Sequence, residues 1–240
     1  GDHRDLHSFP PRRSSDLLGD WGFMPTDPAI LKEELRKRDL VLLGAFVPVA
    51  LKHASSHQKG VEEALKIARL LSAVEGTDPF IVLADDNCTI PERTLNAGRV
   101  TAGMGLSDAE WEVFAEGTEK VARAVKEETG LRLVFHHHCA GYVETPEEVD
   151  KLFSLTDPNL VGLCLDTGHY LFGGGDPLAF LKKNAGRVWH MHFKDCHPDV
   201  AAQSRQQSWD YLKAVEEGVF CELGRSEERR VGKEGRSRWS

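Results

Sequence analysis

LRLVFHHHCAG, residues 131–141, is an apolar run of strand length that ends in three adjacent histidines. Side chains in a strand alternate between faces, so His136 and His138 are expected on one face and His137 on the other. At most two of the three then reach a single site, and His137 is expected to face a helix layer in a structural role. The pattern recurs along the chain. PFIVLADD (79–86) ends in Asp85 and Asp86, LVGLCLDTGH (160–169) in Asp166 and His169, and RVWHMHFKD (187–195) in His192, Lys194 and Asp195.

The intervening stretches predict helices. TDPAILKEELRKRD (26–39) opens with Asp27 as cap and Pro28 at the first helical position. GVEEALKIARLLSAVEG (60–76) carries one apolar stripe through Val61, Ala64, Leu65, Ala68, Leu71 and Val74. Ser107 and Glu110 form a capping box for a helix that Gly130 ends. Thr145, Pro146 and Glu148 start another, Asp176 a third, and 200–218 reads as mostly helical. LVLLGAFVPVAL (40–51) is a further buried strand. Strands alternating with helices predict an α/β fold with a parallel sheet covered on both faces. A doubly wound sheet places its ligand at one crevice. Four strand ends loaded with polar groups instead favour a (β/α)8 barrel, whose site is built on that rim.

The chain has 240 residues with 40% hydrophobic and 28% charged content, which suits one domain with a sizeable core. No apolar run approaches the roughly 20 residues of a membrane span. A net charge of −8 argues against general affinity for nucleic acid or anionic lipid. Cys88, Cys139, Cys164, Cys196 and Cys221 are scattered without a CxxC pair, which predicts reduced thiols and a cytoplasmic location. Cys139, Cys164 and Cys196 read as small packing groups. Neither a G-x-S-x-G nor a G-x-G-x-x-G occurs. The two ends differ from the middle. Residues 1–17 lack an apolar period, and 225–240 is basic in an otherwise acidic chain. Both have the look of translated sequencing adapter. They are expected to be non-native tails around a partial barrel domain at 18–224.

Histidine and carboxylate on several rim strands suit a divalent metal of the Mn, Co or Zn kind. Taken alone, Asp166 and His169 read as a loop cap and a packed ring; the other rim residues favour a shared pocket. His192 lies nearer the rim than His190 on the same face, so His192 is the candidate ligand and His190 a core group. Lys194 is farther out, either holding a substrate oxygen or solvated and paired with Asp195. Glu144 sits just before the Thr145 cap, where an acid serves the helix dipole.

HHHCAGYVET, GLCLDTGHYLFGGGDP and HMHFKDC together resemble the xylose-isomerase-like TIM barrel family. HHH, with TDP…GAFVPVAL and GVFCELG, narrows the likeness to its inosose dehydratase branch, which acts on 2-keto-myo-inositol in inositol catabolism. The resemblance implies a divalent metal held by one residue from each of four strands. His136 would take the place of the usual glutamate, Asp166 that of the aspartate and His192 that of the histidine. His138 and Glu144 remain alternatives to His136. The fourth ligand, a glutamate on the last strand, is expected beyond GVFCELG. The barrel is therefore expected to be incomplete, with the first strand, most of the second and the last missing, and this piece to be inactive by itself. The resemblance further implies a keto-inositol or related polyol substrate, with His138, His169 and Lys194 in acid, base and substrate-holding roles. A sugar or inositol isomerase or epimerase is the alternative on the same scaffold. Neither nucleic acid nor membrane is implied as a partner, and a homo-oligomer of the intact protein remains open.

Overall fold

A computed structural model describes residues 13–15, 24–74, 78–221 and 223–224. In chain order the elements are β1 (Arg13–Ser15), α1 (Pro28–Lys37), β2 (Leu40–Leu42), β3 (Gly44–Pro48), α2 (Ala54–Ser72), β4 (Phe80–Ala84), α3 (Pro91–Leu95), α4 (Asp108–Thr129), β5 (Arg132–His136), α5 (Pro146–Leu155), β6 (Val161–Asp166), α6 (Thr167–Phe172), α7 (Pro177–Asn184), β7 (Val188–His192), β8 (Asp195–Cys196), α8 (Pro198–Gln207), α9 (Tyr211–Glu216) and β9 (Phe220–Cys221).

Strands β3 to β7 form one parallel sheet in sequence order, the signature of repeated strand–helix–strand units. The β2 strand pairs parallel with β1. It runs into β3 through Leu43, whose carbonyl accepts from Phe80 N at 2.8 Å. The 40–51 run is thus one line of chain serving two ladders. Every residue of β4 and of β6 is buried, as a sheet covered on both faces requires. Outside the sheet, α2 and α4 lay Ala64, Ala68, Leu71, Phe114, Val121 and Val125 into the main core. Inside, Phe80, Val82, Val134 and Cys164 pack with Phe46 and Trp189. Among the described residues the sheet is open, and β7 is only half-buried along its length.

Helix starts follow the chain's local chemistry. Asp27 accepts from Ile30 N at 3.0 Å, the capping boxes of Ser107 with Glu110 and of Thr145 with Glu148 both form, and Gly130 closes α4 in the left-handed region. Element ends depart from expectation in several places. The 187–195 run is strand only from Val188 to His192, so Lys194 lies beyond β7. The α2 helix begins at Ala54 rather than 60. The β5 strand stops at His136, so His137 and His138 lie on the following loop, where strand alternation no longer sorts them. The 160–169 run is strand only to Asp166, and His169 belongs to α6. The 200–218 stretch is two helices, parted at Ser208 with φ +53°. No helix among the described residues is long and apolar enough to cross a membrane. Of the terminal stretches expected to be non-native, only Arg13–Ser15 lies within the described residues.

Candidate metal and active site at the strand ends

Asp166 is the last residue of β6 and the cap of α6, and its two carboxylate oxygens divide these tasks. Oδ1 accepts from Gly168 N at 3.1 Å and His169 N at 3.0 Å. Oδ2 faces His136 Nε2 at 3.5 Å and His192 Nδ1 at 3.7 Å, and it takes an ion pair from Lys194 Nζ. Lys194 therefore pairs with Asp166 across the site rather than with its neighbour Asp195. The α6 helix packs close: a Cβ on Gly168 would fall 2.7 Å from Lys194 Cβ. Asp166 is fully buried. Burial opposes its ionisation, but His169, His136 and Lys194 outweigh that and hold its carboxyl far below the usual range.

The sequence-predicted histidines converge around this carboxylate. The rings of His136 and His192 lie 4.7 Å apart, those of His136 and His169 5.8 Å, and those of His138 and His169 3.8 Å. Burial lowers the imidazole pKa to about 3 for His136, about 3 for His137 and about 4 for His138, and takes His169 well below its ordinary value. All four are neutral near pH 7, the state that offers a lone pair to a metal or a proton.

Backbone partners fix three tautomers. His138 Nδ1 meets Cys139 O at 2.6 Å. A carbonyl only accepts, so Nδ1 carries the proton and Nε2 the lone pair. His169 Nδ1 accepts from Cys139 N at 3.5 Å, which leaves its proton on Nε2. His137 Nε2 accepts from Asp166 N at 3.1 Å, so it is not the inward partner of the other two. His136 is buried, yet neither of its ring nitrogens makes a hydrogen bond of ordinary geometry. Buried polar atoms are normally satisfied, so this ring is shaped for a group that approaches from the pocket.

Glu144 is turned away from that group. Its Oε1 accepts from Gly98 N at 2.7 Å and its Oε2 from Ala140 N at 2.9 Å. It braces the loop after β5, and burial pushes its carboxyl up to about 7. Asp85 acts alike, accepting from Tyr142 N at 3.0 Å.

Sequence reasoning passed over several residues that line the site. Cys164, read as a packing group, places its thiol with one ring nitrogen each of His136 and His192, all within 4.8 Å of one another. Its position two residues before Asp166, on the same strand face, was the available signal. Tyr211 stands 5.6 Å from the His138 ring and Phe220 4.7 Å from His169. Both come from the far side of the β7 connection; Phe220 lies in the GVFCELG stretch, and no local motif marked Tyr211.

The xylose isomerase-like TIM barrel family model matches residues 11–222. The inosose dehydratase of Geobacillus kaustophilus is 44% identical over 200 residues, covering 82% of this chain and 63% of the relative; the chain thus spans under two thirds of that relative's length. Among solved structures, the probable 3-DHS dehydratase AsbF from Bacillus anthracis superposes with a TM-score of 0.54 at 15% identity, over 70% of this chain and 57% of that one. The IOLI protein, whose structure carries a zinc atom, does so with a TM-score of 0.50 at 14% identity, over 71% and 57%. By the match across nearly its whole length, the chain belongs to the xylose isomerase-like TIM barrel family.

Proposed function

We propose that the chain serves the metal-dependent dehydration of a keto-inositol such as 2-keto-myo-inositol. The observation that carries this reading is the convergence of His136, His192 and Lys194 on one buried carboxylate oxygen of Asp166. The named activity of the 44% identical relative supports it. His136, Asp166 and His192 are the ligand set proposed for a Mn, Co or Zn ion. The donors suit one: two imidazoles, that of His136 neutral and without a hydrogen bond, and an ionised carboxylate. When bound, such an ion supplies Lewis-acid polarisation of the ketone oxygen.

The protein's own groups divide the proton work. His138, with its lone pair on Nε2, takes the proton from the carbon beside the ketone. The C–H electrons become the new C=C bond as the β C–O bond breaks. His169, with its proton on Nε2, gives that proton to the departing hydroxide, which leaves as water. The two rings, tilted by 41° with centroids 3.8 Å apart, stand close enough to serve one substrate. Lys194 holds a substrate oxygen at the mouth. Its ammonium also lies 5.9 Å from the Phe220 ring, which walls that side. The scattered thiols suit a reducing, cytoplasmic compartment.

The test offers 2-keto-myo-inositol to the protein with and without a divalent ion. A metal-dependent rise in melting temperature on adding the ketose is expected, abolished in His192→Ala. Turnover by this piece alone is not expected; any product that does form should have lost one water. An isomeric ketose of unchanged mass would move the assignment to an isomerase or epimerase. A melting temperature indifferent to ion and ketose would overturn the reading.

A further inference from the structure

The inner face of β6 carries a thiol two residues below Asp166. Cys164 lies opposite His136 in the β5–β6 register. The register of β6 against β7 shifts between Leu163 and Cys164, and such bulges re-aim side chains at functional sites. The thiol is fully buried, and Phe80, Val82 and Val134 close the space beneath it.

We propose that the Cys164 thiolate is itself a ligand of the bound cation, together with His136 and His192. This rests on the metal reading of the site. The three donor atoms lie within 4.8 Å of one another. Tetrahedral zinc, with Zn–S of about 2.3 Å and Zn–N of about 2.0–2.1 Å, holds such atoms roughly 3.5 Å apart. Closing the set needs shifts on the order of 1 Å. His136, buried and without a hydrogen bond at either nitrogen, points to the same ligand independently of the thiol. Asp166 Oδ2, 3.5 Å from His136 Nε2 and 3.7 Å from His192 Nδ1, keeps its place in the ligand set, and the thiolate adds to it. A sulfur donor biases the site toward Zn(II) or Co(II) and away from Mn(II) or Mg(II).

Cobalt separates this proposal from the reading beneath it. The full chain is titrated with Co(II). Visible d–d bands report binding, and a near-ultraviolet thiolate-to-cobalt band reports sulfur ligation. Wild type should show both, Cys164→Ser should keep the visible bands and lose the near-ultraviolet one, and Cys88→Ser should keep both. Cys164→Ala, with circular dichroism as a check on folding, repeats the measurement should serine be too polar for the core. Visible bands with no sulfur band in wild type, or with one that survives in Cys164→Ser, overturn the thiolate ligand while the metal site stands. No retained cobalt by elemental analysis overturns the metal site, and the thiolate ligand with it.

Discussion

His137 acts on the site without reaching into it. Its Nε2 takes the backbone N–H of Asp166, and its ring lies edge-on to Tyr170 at 5.4 Å. The last residue of β6 is thereby held in line while its carboxylate faces the other way. His137→Phe keeps the ring volume but leaves that N–H buried without an acceptor, a loss of about 1–3 kcal/mol. The urea midpoint should fall accordingly, and His137→Gln, whose amide oxygen can accept, should recover part of it. An unchanged midpoint in His137→Phe would show that Asp166 N finds another partner. Strand alternation does not account for His137, which lies on the loop past β5; the backbone N–H of Asp166 sets its direction, and that contact spans 29 residues. Cys164 had one sign in the sequence, its place two residues before Asp166 on one strand face. That it stands beside His136 is a matter of register, a property of the assembled sheet.

The loop between β5 and α5 is held by side chains from other elements. Ala140 and Val143 both adopt φ of +67°, a conformation that costs a β-branched residue in particular. Arg93, on α3, supplies much of the restraint. Its Nε donates to Gly141 O at 2.8 Å, and its guanidinium makes a bidentate pair with Glu148 at 2.9 and 2.7 Å. The Arg93 side chain is fully buried. Arg93→Met removes one partner of a buried pair, which costs about 3–5 kcal/mol because the remaining charge is left uncompensated. We expect that loss in denaturant titration, together with faster proteolysis within residues 137–145. A stable variant with an uncut loop would show that Asp85 and Glu144 suffice. The capping boxes that start α4 and α5 were readable because their partners lie three residues apart. The ends of β5 and β6 were not, because histidines continue the one run and Asp166 turns the other directly into a helix. Arg93 gave no local sign, its partners being 48 and 55 residues away.

At the scale of the whole molecule, the strand-after-strand order of β3 to β7 places every loaded strand end on one rim, and alternating apolar and amphipathic stretches made that order legible. Gathering the histidines there has a cost that pH exposes. An unfolded imidazole takes up its proton near pH 6.5, whereas burial holds His136 and His137 to about 3 and His138 to about 4. Between those values the unfolded chain binds more protons than the folded one. Stability present at neutral pH is therefore lost as pH falls from about 6.5 toward 4, by up to about 1.4 kcal/mol per pH unit for each such ring. Asp166, whose carboxyl is depressed, adds its own loss only below the ordinary carboxylate range. A divalent ion at a hundredfold excess over its Kd stabilises the folded chain by about 2.7 kcal/mol. Because burial keeps the His136 ring unprotonated in the folded chain to well below pH 5, protons do not displace the ion from it there, and that protection should persist across the range. The melting temperature should thus drop steeply between about pH 6.5 and pH 5 without metal. Added Zn(II) or Co(II) should raise it throughout that range. A melting temperature level across the range would mean that these rings take up protons as readily in the folded chain as in the unfolded one, and so are not held neutral by burial.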